Sequence, residues 1–220
     1  MQTLIDHRVV HDIPLLEFYN PGTPHRLPLV IILHGFTGKK EDNLVQGYAL
    51  ARKGYYAVSM DLHLHGELRD PVLGPSAVSA RFLEIMEQSL ANLHTLVALY
   101  TESDKVDPQR IGLLGVSLGG AVIYSYLPQR APAVKAAVTM VAGPAPLAAI
   151  TFAHIQQVHP EFGVTDELVS TLATVSGGSP FLEYVIDFPL LVQHGQLDPL
   201  IPISGVRDFP FIEGGNVPVL

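Results

Sequence analysis

The 220-residue chain contains no cysteine. That removes disulfides, cysteine-ligated zinc and a thiol nucleophile in one step, and it fits any redox compartment. Charge is scarce as well: 15% of residues are charged against 48% hydrophobic, a balance that favours a compact domain with a large core over a disordered chain. Basic residues are the scarcer sign. Thirteen Lys and Arg against 21 Asp and Glu leave a net charge of −8. Such a surface argues against nucleic acid or an anionic membrane as partner.

Long apolar runs are missing too. The stretch "AAVTMVAGPAPLAAI" is interrupted by Gly143, Pro144 and Pro146, so no membrane span is expected. The N-terminal "MQTLIDHRVV" lacks the basic region and apolar core of a secretory signal. A cytoplasmic location is therefore the expectation. No internal repeat or low-complexity linker occurs, and no HxxxH or His–carboxylate cluster falls on one helix face. Neither a metal nor a cofactor is expected.

What is present is an alternation. "TLIDHRVV" and "IPLLEFY" predict a pair of short antiparallel strands. "LPLVIIL", "YYAVSM", "RIGLLGV", "VKAAVTMVA" and "PLLVQHG" are apolar and strand-length, as expected of strands covered on both faces. "NVPVL" could begin another. Helices are predicted over 41–53, ending at Gly54, and over 121–127. The 3–4 spacing of Val78, Phe82, Ile85, Met86, Leu93, Leu96, Val97 and Tyr100 predicts one long helix over 76–102. This order implies a single α/β domain over 1–220, with a mostly parallel, doubly wound sheet. Functional residues of such sheets gather past the carboxyl ends of the strands. Residues 143–187 break the rhythm and are too long for a plain connection. Two or so short helices, folded over the sheet edge as a lid, are expected there. Simple packing helices are the alternative.

Three motifs fall at strand ends. "GVSLG" (115–119) fits G-x-S-x-G between a buried strand and a helix, the setting of a nucleophile elbow. A sharp turn there would lift Ser117 out of the sheet, and only very small residues fit two positions either side. "HGFTG" (34–38) follows the first buried strand. An acyl-transfer site needs two backbone N–H donors aimed at the developing oxyanion. Leu118 would supply one and Phe36 the other, with Gly35 letting the backbone turn inward. His34 is expected to bond nearby backbone rather than act as a base. "HGQLDPLIP" (194–202) offers Asp198 as the carboxylate that orients a histidine.

In this order the three motifs resemble the α/β-hydrolase fold superfamily over nearly the whole chain. They are most similar to small bacterial serine esterases of the dienelactone-hydrolase and prolyl-oligopeptidase-like branch. "MDLHLHGE" (60–67) resembles the D-x-x-x-H-G loop of that branch. The resemblance implies hydrolysis of carboxylic esters of small or medium acyl chains through an acyl-serine. Ser117 and Asp198 would be catalytic, with Phe36 and Leu118 the oxyanion donors. His34, Gly35 and His65 would be substrate-binding, His65 lining the site without reacting. Phe152, Ile155, Phe162 and Leu168 would shape the acyl pocket, or equally be plain core. The partner would be a small-molecule ester. Acyl transfer and peptide hydrolysis use the same residues and stay open.

One part is lacking. The family order is serine, acid, histidine, and the last of the ten histidines is His194, before Asp198. Three accounts stand open: a shortened chain, a degenerate or engineered hydrolase without its base, or replacement by His63, His154 or His159. The first two are preferred, and no catalytic histidine is assigned. A catalytically impaired or non-catalytic binding protein of the same fold is thus the competing function. The segment "GVRDFPFIEGGNVPVL" resembles a shortened helix and the start of a last strand. An exposed C-terminal sheet edge, covered by a homo-oligomeric partner or marginally stable, is the corresponding expectation.

Overall fold

A computed structural model describes residues 2–23, 25–127, 133–143, 145–158, 160, 163–176, 189–195, 198 and 201, with the backbone alone at 145–150 and 174–176. Seven strands form one sheet: β1 (Leu4–Val10), β2 (Ile13–Tyr19), β3 (Leu27–Leu33), β4 (Tyr56–Met60), β5 (Val106–Val116), β6 (Val134–Met140) and β7 (Leu190–Gln193). Their spatial order is β1-β2-β4-β3-β5-β6-β7. The β1–β2 and β2–β4 pairings are antiparallel, and all others are parallel. The doubly wound α/β architecture is the one the strand–helix alternation implies.

Parity along the strands explains why they read as continuous apolar runs. Leu29, Ile31 and Leu33 of β3 join one large core, while Ile32 belongs to a second, smaller one. On β4, Tyr56, Val58 and Met60 face the first core and Ala57 the second. Successive side chains point to opposite faces, so a sheet covered on both needs apolar residues at every position. Helix α1 (Leu44–Arg52) contributes Ala51 to the smaller core. Helix α3 (Phe82–Thr101), with Ile85, Leu93 and Leu96, and α4 (Leu118–Tyr126), with Val122 and Ile123, fill the larger one.

Two expectations need correction. The helix expected over 76–102 is broken: α2 (Pro75–Ala80) ends before Arg81, whose φ of −97° and ψ of 20° leave the helical region, and α3 starts at Phe82. The apolar spacing could not reveal this. Val78, Phe82 and Ile85 keep the 4-then-3 rhythm across the break. Strand β5 begins at Val106 rather than Arg110, because the expected turn is absorbed as a bulge: Val106 faces Leu27 and Ile111 faces Leu29. Pro108, which has no N–H to donate, falls within that bulge.

Between β6 and β7 lie α5 (Ala145–Val158) and α6 (Asp166–Ser176), packed on each other. The segments read as "GVRDFPFIEGG" and "NVPVL" lie outside the described residues. No helix among the described residues is long and apolar enough to cross a membrane.

Chain order departs to opposite sides of β3: the next strand, β4, lies on one side and β5 on the other. A crevice opens at the carboxyl ends of strands at such a switch point. The segment after β3 and the turn after β5 both lie there.

Candidate active site

Ser117 sits between β5 and α4 with φ 49° and ψ −113°. A non-glycine residue at positive φ is uncommon and costs on the order of 1–3 kcal/mol. Its N–H donates to Met140 O on β6 at 2.8 Å, and its carbonyl accepts from Ala121 N–H at 3.0 Å. The turn around it is crowded. A Cβ on Gly115 would come within 2.5 Å of Gly119 O, and one on Gly119 within 2.4 Å of Leu33 O. Neither position accepts a side chain without moving backbone.

The segment after β3 runs alongside. A Cβ on Gly35 would lie 3.5 Å from Ser117 Cβ. Gly119 N–H donates to His34 O at 3.1 Å, which ties this segment to the start of α4. Phe36 and Leu118 are thereby brought beside Ser117. Leu118 opens α4, where N–H groups lack acceptors within the helix and the helix dipole favours negative charge.

All three residues line one cavity of about 300 Å³. One side of it is Phe36, Ser117, Leu118 and Ala121; the other is Phe82, Thr151, Phe152, Ile155, Val164 and Ile201. The Phe82 and Phe152 rings meet edge to face with centroids 4.4 Å apart. Val141 and Ala142, just past β6, close the floor, Val141 at a φ of 51°. Among the described residues, no side chain on this wall is charged or a histidine.

The remaining sequence candidates are placed as follows. His34 is buried. Leu62 N–H donates to its Nε2 at 3.0 Å, so Nδ1 carries the proton and donates to Gly35 O at 2.7 Å. Both ring nitrogens are engaged, and burial lowers the pKa of the ring, which leaves no lone pair for Ser117. His65 is 4% exposed. Its Nδ1–H donates to His63 O at 2.8 Å, and its Nε2 has no partner. Burial lowers its pKa also. His34, Gly35 and His65 are absent from the cavity wall, and the His65 and Phe36 rings meet edge to face, centroids 5.1 Å apart.

Asp198 follows β7, and its Oδ1 accepts Ile201 N–H at 2.9 Å. His194 donates from Nε2 to Ile201 O at 2.7 Å, leaving a buried Nδ1 without a partner. Of the alternative bases, His63 faces Glu84 at 3.2 Å. His154 lies on α5 and outside the cavity wall, and His159 lies outside the described residues. Phe152 and Ile155 line the cavity, Leu168 is buried in the main core, and Phe162 lies outside the described residues. Among the described residues no group of three His, Asp or Glu side chains could hold a metal ion.

One polar cluster escaped the sequence reading. Asp61, at the end of β4, is fully buried with Lys40, and Glu67 bonds to Lys40 from the surface at 2.5 Å. Asp61 and Glu67 stand in the quoted loop motif, but Lys40 lies 21 residues from Asp61. No local spacing pairs them.

Comparison with known proteins finds relatives of this chain. Residues 17–172 match the model of the dienelactone hydrolase family. The Bacillus subtilis (strain 168) protein YitV is 32% identical over 211 residues, 93% of this chain and 82% of that protein. The esterase YjfP of Escherichia coli (strain K12) is 30% identical over 209 residues, 90% and 80% of the two chains. Est1E from Butyrivibrio proteoclasticus, solved with ferulic acid bound, superposes with a TM-score of 0.66 at 19% identity, covering 98% of this chain and 88% of that one. At that identity the likeness shows the fold.

Proposed function

This chain belongs to the dienelactone hydrolase family, and we propose that it is a serine esterase that hydrolyses carboxylic esters of small or medium acyl chains. Ser117 attacks the ester carbonyl to give a tetrahedral oxyanion, which collapses to an acyl-serine as the alcohol leaves with the proton taken from Ser117; water then cleaves the acyl-serine to the carboxylic acid. The N–H groups of Phe36 and Leu118 receive the oxyanion. Asp198 would orient the base that takes the Ser117 proton, and no histidine is assigned that role. The helices of the 143–187 insertion form the lid over the acyl group. The observation that carries this reading is the strained Ser117 turn, opening into a 300 Å³ apolar cavity beside Phe36 and Leu118. The relationship to the esterase YjfP supports it.

A second reading has one observation in its favour. Among the described residues, no histidine or other titratable side chain lines the cavity. A serine hydroxyl without a base is a poor nucleophile, so the same cavity could hold an acyl ligand without turning it over. A fluorophosphonate probe separates the two. Labelling that Ser117→Ala abolishes is expected of the esterase. Wild-type protein labelled no faster than the variant would leave only the binding protein.

A further inference from the structure

We infer that Asp61 is a positioning residue for the oxyanion segment: with Lys40 it clamps residues 34–40 so that the Phe36 amide is held against Ser117. The clamp stands on geometry alone, whereas its catalytic consequence rests on the esterase reading. Asp61 touches neither the cavity nor Ser117 and so acts through the loop.

The two ends of the segment are gripped by two adjacent residues, Asp61 at one end and Leu62 at the other. At the far end, Lys40 N–H donates to Asp61 Oδ1 at 2.7 Å and Lys40 Nζ donates to Oδ2 at 3.0 Å. At the near end, Leu62 N–H donates to His34 Nε2 at 3.0 Å. Between these ends, Gly119 N–H holds His34 O at 3.1 Å, which fixes the segment to the Ser117 turn. Phe36 therefore sits in a short span restrained at three points. Its neighbour Thr37 has a φ of 65°. A β-branched residue keeps that conformation only when its surroundings impose it.

The clamp is built with little tolerance. Glu67 N–H also donates to Asp61 Oδ2, at 2.9 Å. A Cβ on Gly66 would fall 2.1 Å from Asp61 Oδ1. Burial disfavours the charge on Lys40, but Glu67, Glu41 and Asp61 outweigh it and raise its pKa. A buried ion pair often adds no more stability than an apolar pair of the same volume. What it adds here is a fixed direction, because each Asp61 oxygen has its own donors. Since a misplacement of about 1 Å near the reacting atoms can cost on the order of 10²-fold in rate, such a restraint has catalytic value.

The test compares wild type with Asp61→Asn and Glu67→Gln in two measurements. One is amide hydrogen exchange of peptides covering 34–40, β3 and α4. The other is the rate of fluorophosphonate labelling, with kcat and KM for p-nitrophenyl butyrate. In Asp61→Asn, exchange at 34–40 is expected to rise on the order of ten-fold with β3 and α4 unchanged. Labelling rate and kcat should fall about 10- to 100-fold, with KM held within about two-fold. Glu67→Gln removes only the charge of the half-exposed outer partner and should give about two- to five-fold effects of the same pattern. Exchange at 34–40 equal to wild type in both variants overturns the clamp. Faster exchange with an unchanged labelling rate overturns the positioning role. Should Asp61→Asn loosen the whole sheet, the 34–40 peptides of Glu67→Gln decide in the same way. Wild-type protein that takes no label overturns the esterase reading, and the exchange data then decide the clamp alone.

Discussion

The two walls of the cavity are held in place by different physics. The wall that carries Ser117, Phe36 and Leu118 is fixed by directional bonds: Ser117 to Met140, Gly119 to His34, His34 to Leu62, Lys40 to Asp61. Gly115 and Gly119 leave no space for side chains. The opposite wall is apolar contact. Phe152 of α5 packs on Phe82 of α3, and Val164 leads to α6, whose Leu168 and Leu172 are buried. Hydrogen bonds weaken steeply with angle and distance, whereas apolar packing tolerates repacking if volume is kept. On the proposed esterase reading, one wall would hold the reacting atoms still and the other would accept different acyl groups.

Four measurements would break or sharpen that contrast. The largest effect is expected from Ser117→Ala, which should reduce hydrolysis by on the order of 10⁴-fold or more without loss of stability. Ester turnover and a thermal melt check both halves. Gly119→Ala, on the directional wall, should cost about 2–3 kcal/mol, because its Cβ would press on the Leu33 carbonyl. Urea denaturation measures this, and a stability within experimental error of wild type would show that the turn can yield.

Phe152→Ala, on the apolar wall, should cost less, about 1–2 kcal/mol, since Phe152 is only partly buried. Its main effect should be on selectivity. Across a series of p-nitrophenyl esters, KM should shift by about ten-fold in favour of longer acyl chains while kcat for acetate holds. A fall in kcat with unchanged chain preference would mean that both walls position the reacting atoms.

The smallest effect is on pH. Burial lowers the pKa of His34 and His65 below their ordinary value of 6.5. In the unfolded chain these rings take up protons near 6.5, while in the fold they stay neutral to lower pH. Stability should therefore be fully present above 6.5 and decline as pH falls through the lowered folded values. The Lys40 bond lowers the pKa of half-exposed Glu67, which adds a loss at more acidic pH as that carboxylate protonates. Thermal melts from pH 8 to pH 4 read both. Replacing His65 by Gln should flatten the upper part of the decline.

Much of the site was legible because its constraints are local. The glycines around Ser117 answer clashes within four residues of one another or with the adjacent strand, so they show as a spacing. The strands could be read because each alternates between two covered faces. The break at Arg81 could not be read, because one residue outside the helix leaves the apolar rhythm intact. Nor could the fate of His34. Its tautomer is set by Leu62, 28 residues away.

The sequence by itself determined the order of strands and helices, the sharp turn at Ser117 and the placing of three motifs at strand ends. These follow from periodicity and from sterics between near neighbours in the chain. Only the tertiary structure decided which histidines are closed off by backbone bonds, which apolar side chains face the cavity, and that Lys40 is buried against Asp61. Those outcomes depend on contacts between residues far apart in the chain. A hydrogen bond between such residues has a direction and a length that no residue pattern specifies until the sheet has brought its ends together.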